Sequence, residues 1–248
     1  LALHGDLAVP GLTVKQVRDG VEALLVLARA TGAHLGGLGP AGLASLADDI
    51  DPDDDYLLSE ITALGQNARQ VAGFVTLMLD AVDSPGSALE VRRSRSGGGT
   101  PSGDETPAKA TQIDAAAVSL VARVALALAE WGPDEDVALT DAFPGVGELA
   151  AGVPGVVGGW DTAQLAIPFQ GAVPAARALR RRLVVHGWQL TEGESSGRLV
   201  IADLTSLREP GQALSRADEI ALAMRPGSRA VILGSAGALI DELALWGF

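Results

Sequence analysis

The chain has 248 residues, of which 48% are hydrophobic and 20% charged, and this balance excludes an intrinsically disordered protein. Its formal net charge of −13 argues against general nucleic-acid binding, because such binding uses lysine and arginine to contact phosphates. The absence of cysteine excludes disulfides, thiolate metal ligands and a cysteine nucleophile. No apolar run reaches the length of about 18 residues that a membrane span needs.

The chain begins at Leu1, without an initiator methionine or a signal peptide. We therefore treat an excerpt of a longer protein as one possibility. The cytoplasm is the expected compartment.

The N-terminal third is predicted to be helical. Thr13 suits the N-cap of a helix that ends near Gly32, with apolar residues at every third or fourth position of one face. The acidic block at 51–55 precedes the next helix, where carboxylates complement the positive end of the helix dipole. Tyr56 and Thr62 stand where an EF-hand loop carries glycine and glutamate. We therefore interpret the block as a helix cap and predict no metal site.

The segment 56–82 is predicted to form the longest helix of the chain. Its apolar residues alternate spacings of four and three, a heptad pattern typical of knobs-into-holes packing. These heptad residues are Leu57, Ile61, Leu64, Ala68, Val71, Val75, Met78 and Val82. They fit either a hairpin with the first helix or a seam between two chains that completes a four-helix bundle. Because a hairpin would leave the seam half-covered, we expect packing between chains or domains and predict a homodimer through residues 57–82.

Residues 84–112 are predicted to be a flexible linker, because glycine, serine, threonine and proline dominate and no apolar periodicity survives. The predicted organisation is a helical region at 1–83, the linker at 84–112 and an α/β domain at 113–248.

The C-terminal region alternates strands and helices, which predicts a Rossmann-like α/β domain with a small, mostly parallel sheet flanked by helices. The three arginines at 180–182 are interpreted as part of a solvated helix face. The predicted elements are helix 113–131, strand 137–140, helix 145–151, strand 156–157, strand 165–169, helix 173–186, strands 188–191 and 198–203, helix 212–224, strand 229–233 and a final helix to about Trp246.

No catalytic constellation is found in the sequence, and no catalytic residue is assigned. The glycines at 37–42 match GxGxxG but follow a helix, whereas a dinucleotide fingerprint follows a strand, so we interpret them as a loop. Gly171 is better placed, between the strand 165–169 and the next helix. This loop has one glycine where phosphate approach usually needs two or three, and Pro168 removes a ladder donor from the strand. We interpret it as a nucleotide site that no longer binds.

A second loop resembles a class I methyltransferase motif, in which an acid is followed by glycines and then by a second acid for the ribose hydroxyls. The corresponding residues are Asp141, Gly145, Gly147 and Asp161. The segment 224–232, MRPGSRAVI, is similar to the Arg-Pro-Gly-Gly segment of those enzymes. The chain departs from the pattern at the first glycine, which Phe143-Pro144 displaces, and in the short helix that follows.

The layout of residues 163–233 resembles a degenerate Rossmann subdomain. The segments in question are LAIPFQG, AVPAARALRRRLVVHG, WQLT, RLVIADLTSL and SRAVILG. Their order is similar to that of the cofactor-free structural subdomain of polyketide and fatty-acid synthase ketoreductases, and of the N-terminal domain of large short-chain ketoreductases. The catalytic Ser/Tyr/Lys set of that family has no counterpart, since Tyr56 is the only tyrosine. The resemblance implies a non-catalytic part of a multienzyme.

The sequence supports three functional hypotheses. The leading one is a structural, docking and dimerisation module of an acyl-processing assembly, with neighbouring multienzyme domains as partners and no cofactor. The second is an S-adenosylmethionine-dependent, methyltransferase-like enzyme for small molecules. The third is a stand-alone helical interaction protein. NADPH or S-adenosylmethionine is expected only under the alternatives to the first, and none of the three involves nucleic acid or a membrane.

Overall fold

The structure is a computed structural model that contains α-helices and a parallel sheet. It describes residues 7–32, 34–96, 113–129, 138–145, 147–157, 163–168, 173–192, 198–207 and 209–236. The helices are α1 Val14–Thr31, α2 Pro40–Ile50, α3 Leu58–Ala63, α4 Ala68–Leu79, α5 Pro85–Ser96, α6 Ala115–Ala129, α7 Glu148–Val157, α8 Pro174–Val185 and α9 Pro210–Ala223. The strands are β1 Ala138–Phe143, β2 Gln164–Ile167, β3 Gln189–Glu192, β4 Leu199–Asp203 and β5 Arg229–Leu233.

Helix α1 begins and ends at the predicted residues. Thr13 Oγ1 accepts a hydrogen bond from the Gln16 amide, and Gln16 Oε1 accepts one from the Thr13 amide, which completes a capping box. Gly32 closes the helix in the left-handed conformation, with φ of 61°.

The predicted continuous helix over 56–82 is wrong, because α3 and α4 are separate. Gly65 has a φ of 53°, and a 3-10 turn at Gly65–Asn67 replaces the α-helical turn. The heptad residues from Leu57 to Met78 are nevertheless at most 2% exposed, in one core with α1. This seam is therefore covered within the chain. The homodimer through residues 57–82 stays a prediction. Because these heptad residues are buried within the chain, they do not provide an exposed seam that would support it.

The acidic block caps α3, which confirms the interpretation as a helix cap. The buried Asp51 carboxylate accepts hydrogen bonds from the backbone N–H groups of Asp55, Tyr56 and Leu57 at 2.8–2.9 Å. These amides precede or begin a helix and have no intrahelical acceptor. One carboxylate thus satisfies three of them.

The chain divides into two compact units, each assembled from separate segments. Residues 1–101 and 170–186 form a helical unit, and residues 102–169 and 187–248 form an α/β unit. Helix α8 thus belongs to the helical unit, although β2 and β3 on either side of it in sequence belong to the other. This differs from the predicted division at 84–112. That segment also contains α5, whose Ala88 and Leu89 lie in the helical core; residues 97–112 are outside the described ranges.

The arginines of α8 are buried, so the predicted solvated face is wrong. Arg180, Arg181 and Arg182 are 5%, 1% and 5% exposed. Arg181 Nη1 lies 2.5 Å from Glu60 Oε1, and Arg181 Nη2 lies 3.3 Å from Glu22 Oε2. A guanidinium keeps its charge at any ordinary pH, so its burial requires such carboxylates.

Flanking residues of α8 extend this ion-pair network. Arg177 Nε donates to Glu60 Oε1 at 2.8 Å, and Arg177 Nη2 lies 2.9 Å from Asp54 Oδ1. Arg182 donates two hydrogen bonds to Glu90, at 2.8 and 2.7 Å. These contacts attach α8 to α3, to α5 and to the turn before α3.

The α/β unit contains a five-stranded sheet in the order β3-β2-β1-β4-β5, and every pairing is parallel. This confirms the predicted fold class. Helix α6 packs on α7 and on β4 and β5. Ile220 of α9 packs with Val200 and Ala202, which lie on the opposite face of β4 from Leu199 and Ile201.

Two predicted elements of the α/β unit differ from the structure. Strand β1 extends to Phe143 instead of ending at 140. Helix α7 continues to Val157, where a short strand was predicted, and accommodates Pro154 in its interior. The final helix predicted to Trp246 lies outside the described residues. Within the described ranges, every helix is too short or too polar to cross a membrane.

We expect Arg181→Ala to destabilise the helical unit by up to about 3–5 kcal/mol, because it removes the cation that the buried Glu22 and the half-buried Glu60 share and leaves Glu22 with the longer contact to Arg93 and Glu60 with Arg177. Arg18→Ala is the matched control, since Arg18 is half-exposed and its ion pair with Asp19 is worth about 0–1 kcal/mol. Urea unfolding followed by circular dichroism measures both. Equal unfolding midpoints for the two variants would contradict the expectation.

We expect Gly152→Ala to lower the free energy of unfolding by about 1–3 kcal/mol, because α6 and α7 cross closely at this glycine. A Cβ there would clash with Val118 Cγ1. The double variant Gly152→Ala/Val118→Ala should recover much of this loss, because it removes the clashing methyl group. Thermal unfolding of the three variants tests the contact, and an additive loss in the double variant would rule it out.

Candidate functional site

The candidate site lies at the carboxyl ends of β1 and β4. These strands are neighbours, but β2 lies on the far side of β1 and β5 on the far side of β4. In an open parallel sheet, the strand order reverses at such a pair, and the carboxyl ends of the two strands border a crevice where α/β proteins bind ligands. The predicted residues Asp141, Gly145 and Gly147 all lie at this position.

Asp141 is a buried carboxyl group with an unused acceptor. It lies inside β1, not after it as predicted, and is 1% exposed. Its Oδ1 has no hydrogen-bond partner among the described residues. Burial raises the pKa of Asp141 to about 8; the Phe143 amide opposes this shift, and the neighbouring Asp203 charge adds to it. Asp141 is therefore mainly protonated at neutral pH.

Asp203 is the second acid of the site and the last residue of β4. It is 8% exposed, and its Oδ1 accepts hydrogen bonds from the Thr205 amide at 3.0 Å and the Thr205 hydroxyl at 2.6 Å. Asp203 was not among the residues predicted from the sequence. The sequence does contain a signal for Asp203, because it is the single acid that ends the apolar run Leu199–Asp203. In the sheet, this strand pairs with the strand that contains Asp141.

The loop between β1 and α7 brings backbone close to these acids. Gly145 has a φ of 53°, and a Cβ at this position would lie 3.4 Å from Asp203 Oδ2. Gly147 has a φ of 76°, and its amide donates to the Pro144 carbonyl at 2.6 Å. Both residues adopt a conformation that favours glycine. The tight turn leads directly into α7 at Glu148.

The arrangement suits a ligand with hydroxyl or ammonium groups. Carboxyl oxygens of Asp141 and Asp203 accept hydrogen bonds, and the protonated form of Asp141 also donates one. The glycines allow a ligand to approach the backbone without meeting a side chain. Across the described part of the chain, no three acidic or histidine side chains come together as metal ligands.

Other residues singled out in the sequence are not part of this site. Asp161 and Gly171 lie outside the described residues. The glycines at 37–42 belong to the helical unit, in a 3-10 turn and the start of α2. His186 also lies there, with Nε2 3.1 Å from Glu90 Oε1.

Comparison with known proteins gives a distant structural likeness. No protein-family model matches the chain, and no curated protein matches it. One similar solved structure is the methyltransferase subunit of a type I restriction-modification system from Streptococcus thermophilus, with 13% identity and a TM-score of 0.47. The match covers 86% of this chain and 55% of that subunit, so the chain spans about half of its length. A similarity this distant assigns neither an activity nor a ligand to the chain.

Asp141→Asn should stabilise the protein at pH 8 and have little effect near pH 4. The native pKa of about 8 lies above the unfolded value, so the native state holds a proton that the unfolded state releases. The contribution of Asp141 to the free energy of unfolding therefore falls as the pH rises from about 4 to 8, by up to roughly 1.4 kcal/mol per pH unit. Urea unfolding at several pH values measures the difference between variant and wild type.

Asp218→Asn on α9 is the control for the pH series, because it makes the same substitution at an exposed carboxylate. A constant difference between Asp141→Asn and wild type across this range would show that Asp141 is ionised in the native state.

Proposed function

We propose that the α/β unit binds S-adenosylmethionine at the carboxyl ends of β1 and β4 and that the protein is a methyltransferase-like enzyme for small molecules. The observation that supports this proposal is the buried Asp141 carboxyl at the reversal of strand order, just before a glycine turn, with one oxygen that no described residue contacts by a hydrogen bond. A buried polar atom without a partner costs about 1–3 kcal/mol, which a bound ligand offsets by supplying the partner. Perturbed titratable groups of this kind cluster at functional sites.

The residues present fit the polar groups of this cofactor. Its ribose hydroxyls and its ammonium group are hydrogen-bond donors, and Asp141 and Asp203 offer carboxyl oxygens to receive them. Gly145 and Gly147 leave room for close backbone approach. When bound, the cofactor supplies a methyl group attached to a positively charged sulfur. The protein would contribute binding, orientation and the charge of its acids.

The structural-module hypothesis makes the opposite prediction for the same site. It rests on the order of the elements in residues 163–233, and the comparisons give no support for a polyketide or fatty-acid synthase origin. A scaffold gains nothing from a buried carboxyl that lowers stability and leaves an oxygen without a partner. The geometry at Asp141 therefore favours ligand binding over a purely structural role.

Isothermal titration of the full chain with S-adenosylmethionine should give saturable binding, and Asp141→Ala should weaken it by about tenfold or more, through loss of a hydrogen bond to a charged or hydroxyl group. Asp218→Asn is the matched control and should bind as the wild type does. NADPH, titrated in parallel, should not bind at this site. Wild-type protein that shows no heat of binding for S-adenosylmethionine would refute the proposed function.

A further inference from the structure

The carboxylate of Asp203 is held at one of its two oxygens. Both donors of Thr205, the backbone amide at 3.0 Å and the side-chain hydroxyl at 2.6 Å, bind Asp203 Oδ1. The hydroxyl contact has the short distance of a charge-assisted hydrogen bond. The carboxylate cannot turn away without breaking both bonds, so Thr205 determines where the other oxygen, Oδ2, points.

Asp203 Oδ2 faces the glycine turn after β1. A Cβ at Gly145 would lie 3.4 Å from this oxygen. Within the described part of the chain, the hydrogen bonds to the Asp203 carboxylate end at Oδ1. Oδ2 is therefore the oxygen of Asp203 that is available to a ligand, beside backbone that carries no side chain.

The register of the sheet places Asp203 and Asp141 on the same face. Asp141 pairs with Ile201, and the pairing then skips Ala142, which forms a β-bulge. Asp203 lies two residues beyond Ile201 in β4. Residues two apart in a strand share a face, so the side chains of both acids project from the same side of the sheet.

The two acids differ in what they can recognise. Burial and the negative charge of Asp203 raise the pKa of Asp141 to about 8, so Asp141 is mainly protonated at neutral pH. The pair then carries one negative charge, on Asp203. A cationic group is attracted to Asp203, whereas the protonated Asp141 suits an uncharged hydroxyl group.

We propose that Thr205 is a positioning residue, which holds the Asp203 carboxylate so that its Oδ2 receives the positively charged end of the ligand. The inference rests on the proposed function for the identity of this ligand, S-adenosylmethionine. The ammonium group of that molecule is a cation with hydrogen-bond donors, and it suits a carboxylate oxygen beside the glycine turn. Because the carboxylate is oriented before the ligand arrives, less entropy is lost on binding.

Two ligands that share an adenosine group test this role by calorimetry on the full chain. S-adenosylmethionine has the ammonium group, whereas 5′-methylthioadenosine lacks it and is uncharged. Thr205→Val keeps the shape of the side chain and the backbone amide but removes the hydroxyl. It should weaken S-adenosylmethionine binding about three- to tenfold, the usual effect of a lost hydrogen bond, and 5′-methylthioadenosine binding by less than about twofold.

Two further variants separate positioning from a general loss of structure. Thr205→Ser keeps the hydroxyl and should bind both ligands as the wild type does. Ser206→Ala is the matched control, since it removes an exposed hydroxyl from the same turn and should leave both affinities unchanged. Thermal unfolding of each variant checks that it is folded.

The side-chain rotamer of Asp203 gives a readout that needs no ligand. Three-bond NMR couplings at the Asp203 Cβ protons should report a single rotamer in the wild type and in Thr205→Ser. In Thr205→Val they should report averaging over several rotamers, because one of the two bonds to Oδ1 is lost.

Three outcomes would overturn the role of Thr205 and leave the proposed function standing: wild-type affinity for S-adenosylmethionine in folded Thr205→Val, equal weakening of both ligands by this variant, or an unchanged Asp203 rotamer in it. A wild-type protein that binds neither adenosine compound overturns the proposed function and this inference together. The two failures are therefore distinguishable.

Discussion

Arg181 and the carboxylates around it determine how the helical unit is assembled. The buried guanidinium lies within 3.5 Å of Asp19, Glu22 and Glu60, which come from α1 and α3. Because arginine does not lose its charge, α8 can pack only where these carboxylates pair with Arg181. Buried ion pairs often add little net stability, but a buried charge without its partner is strongly unfavourable. The network therefore acts mainly as a constraint on position, and it makes the fold of residues 7–96 depend on a helix far along the chain.

This constraint explains an unusual feature of the α/β unit. Strands β2 and β3 are parallel neighbours, so the chain must cross over between them, and α8 is that crossover segment. It nevertheless belongs to the helical unit. Between β3 and β4 the sequence has only residues 193–198, whereas a helical crossover needs about a dozen. The helix of this crossover instead packs on α1 and α5 within the helical unit.

The elements that local chemistry determines could be predicted from the sequence. The cap at Thr13, the turn at Gly32 and strand β5 agree with the structure, because capping residues and apolar runs act over a few residues. The buried arginines of α8 could not be predicted, since their partners are acids distant in sequence. The end of α3 at Gly65 could not be predicted from the heptad pattern. The pattern continues past this glycine because the side chains on both sides of it pack in the same core. At the site, Asp141, Gly145 and Gly147 follow a strand-turn-helix pattern, whereas Asp203 joins them only through the sheet order.

One extra residue at the end of β1 determines on which face of the sheet its polar and aromatic side chains lie. Without the bulge, Phe143 would lie on the face of Asp141, and an aromatic ring would cover the carboxyl and the glycine turn. With the bulge, the polar group stays beside Gly145 while the ring packs toward α9. Both groups remain at the end of β1 that borders the reversal of strand order. The neutral, buried Asp141 lowers stability at physiological pH, and it lies at the reversal of strand order, the place where open parallel sheets bind ligands.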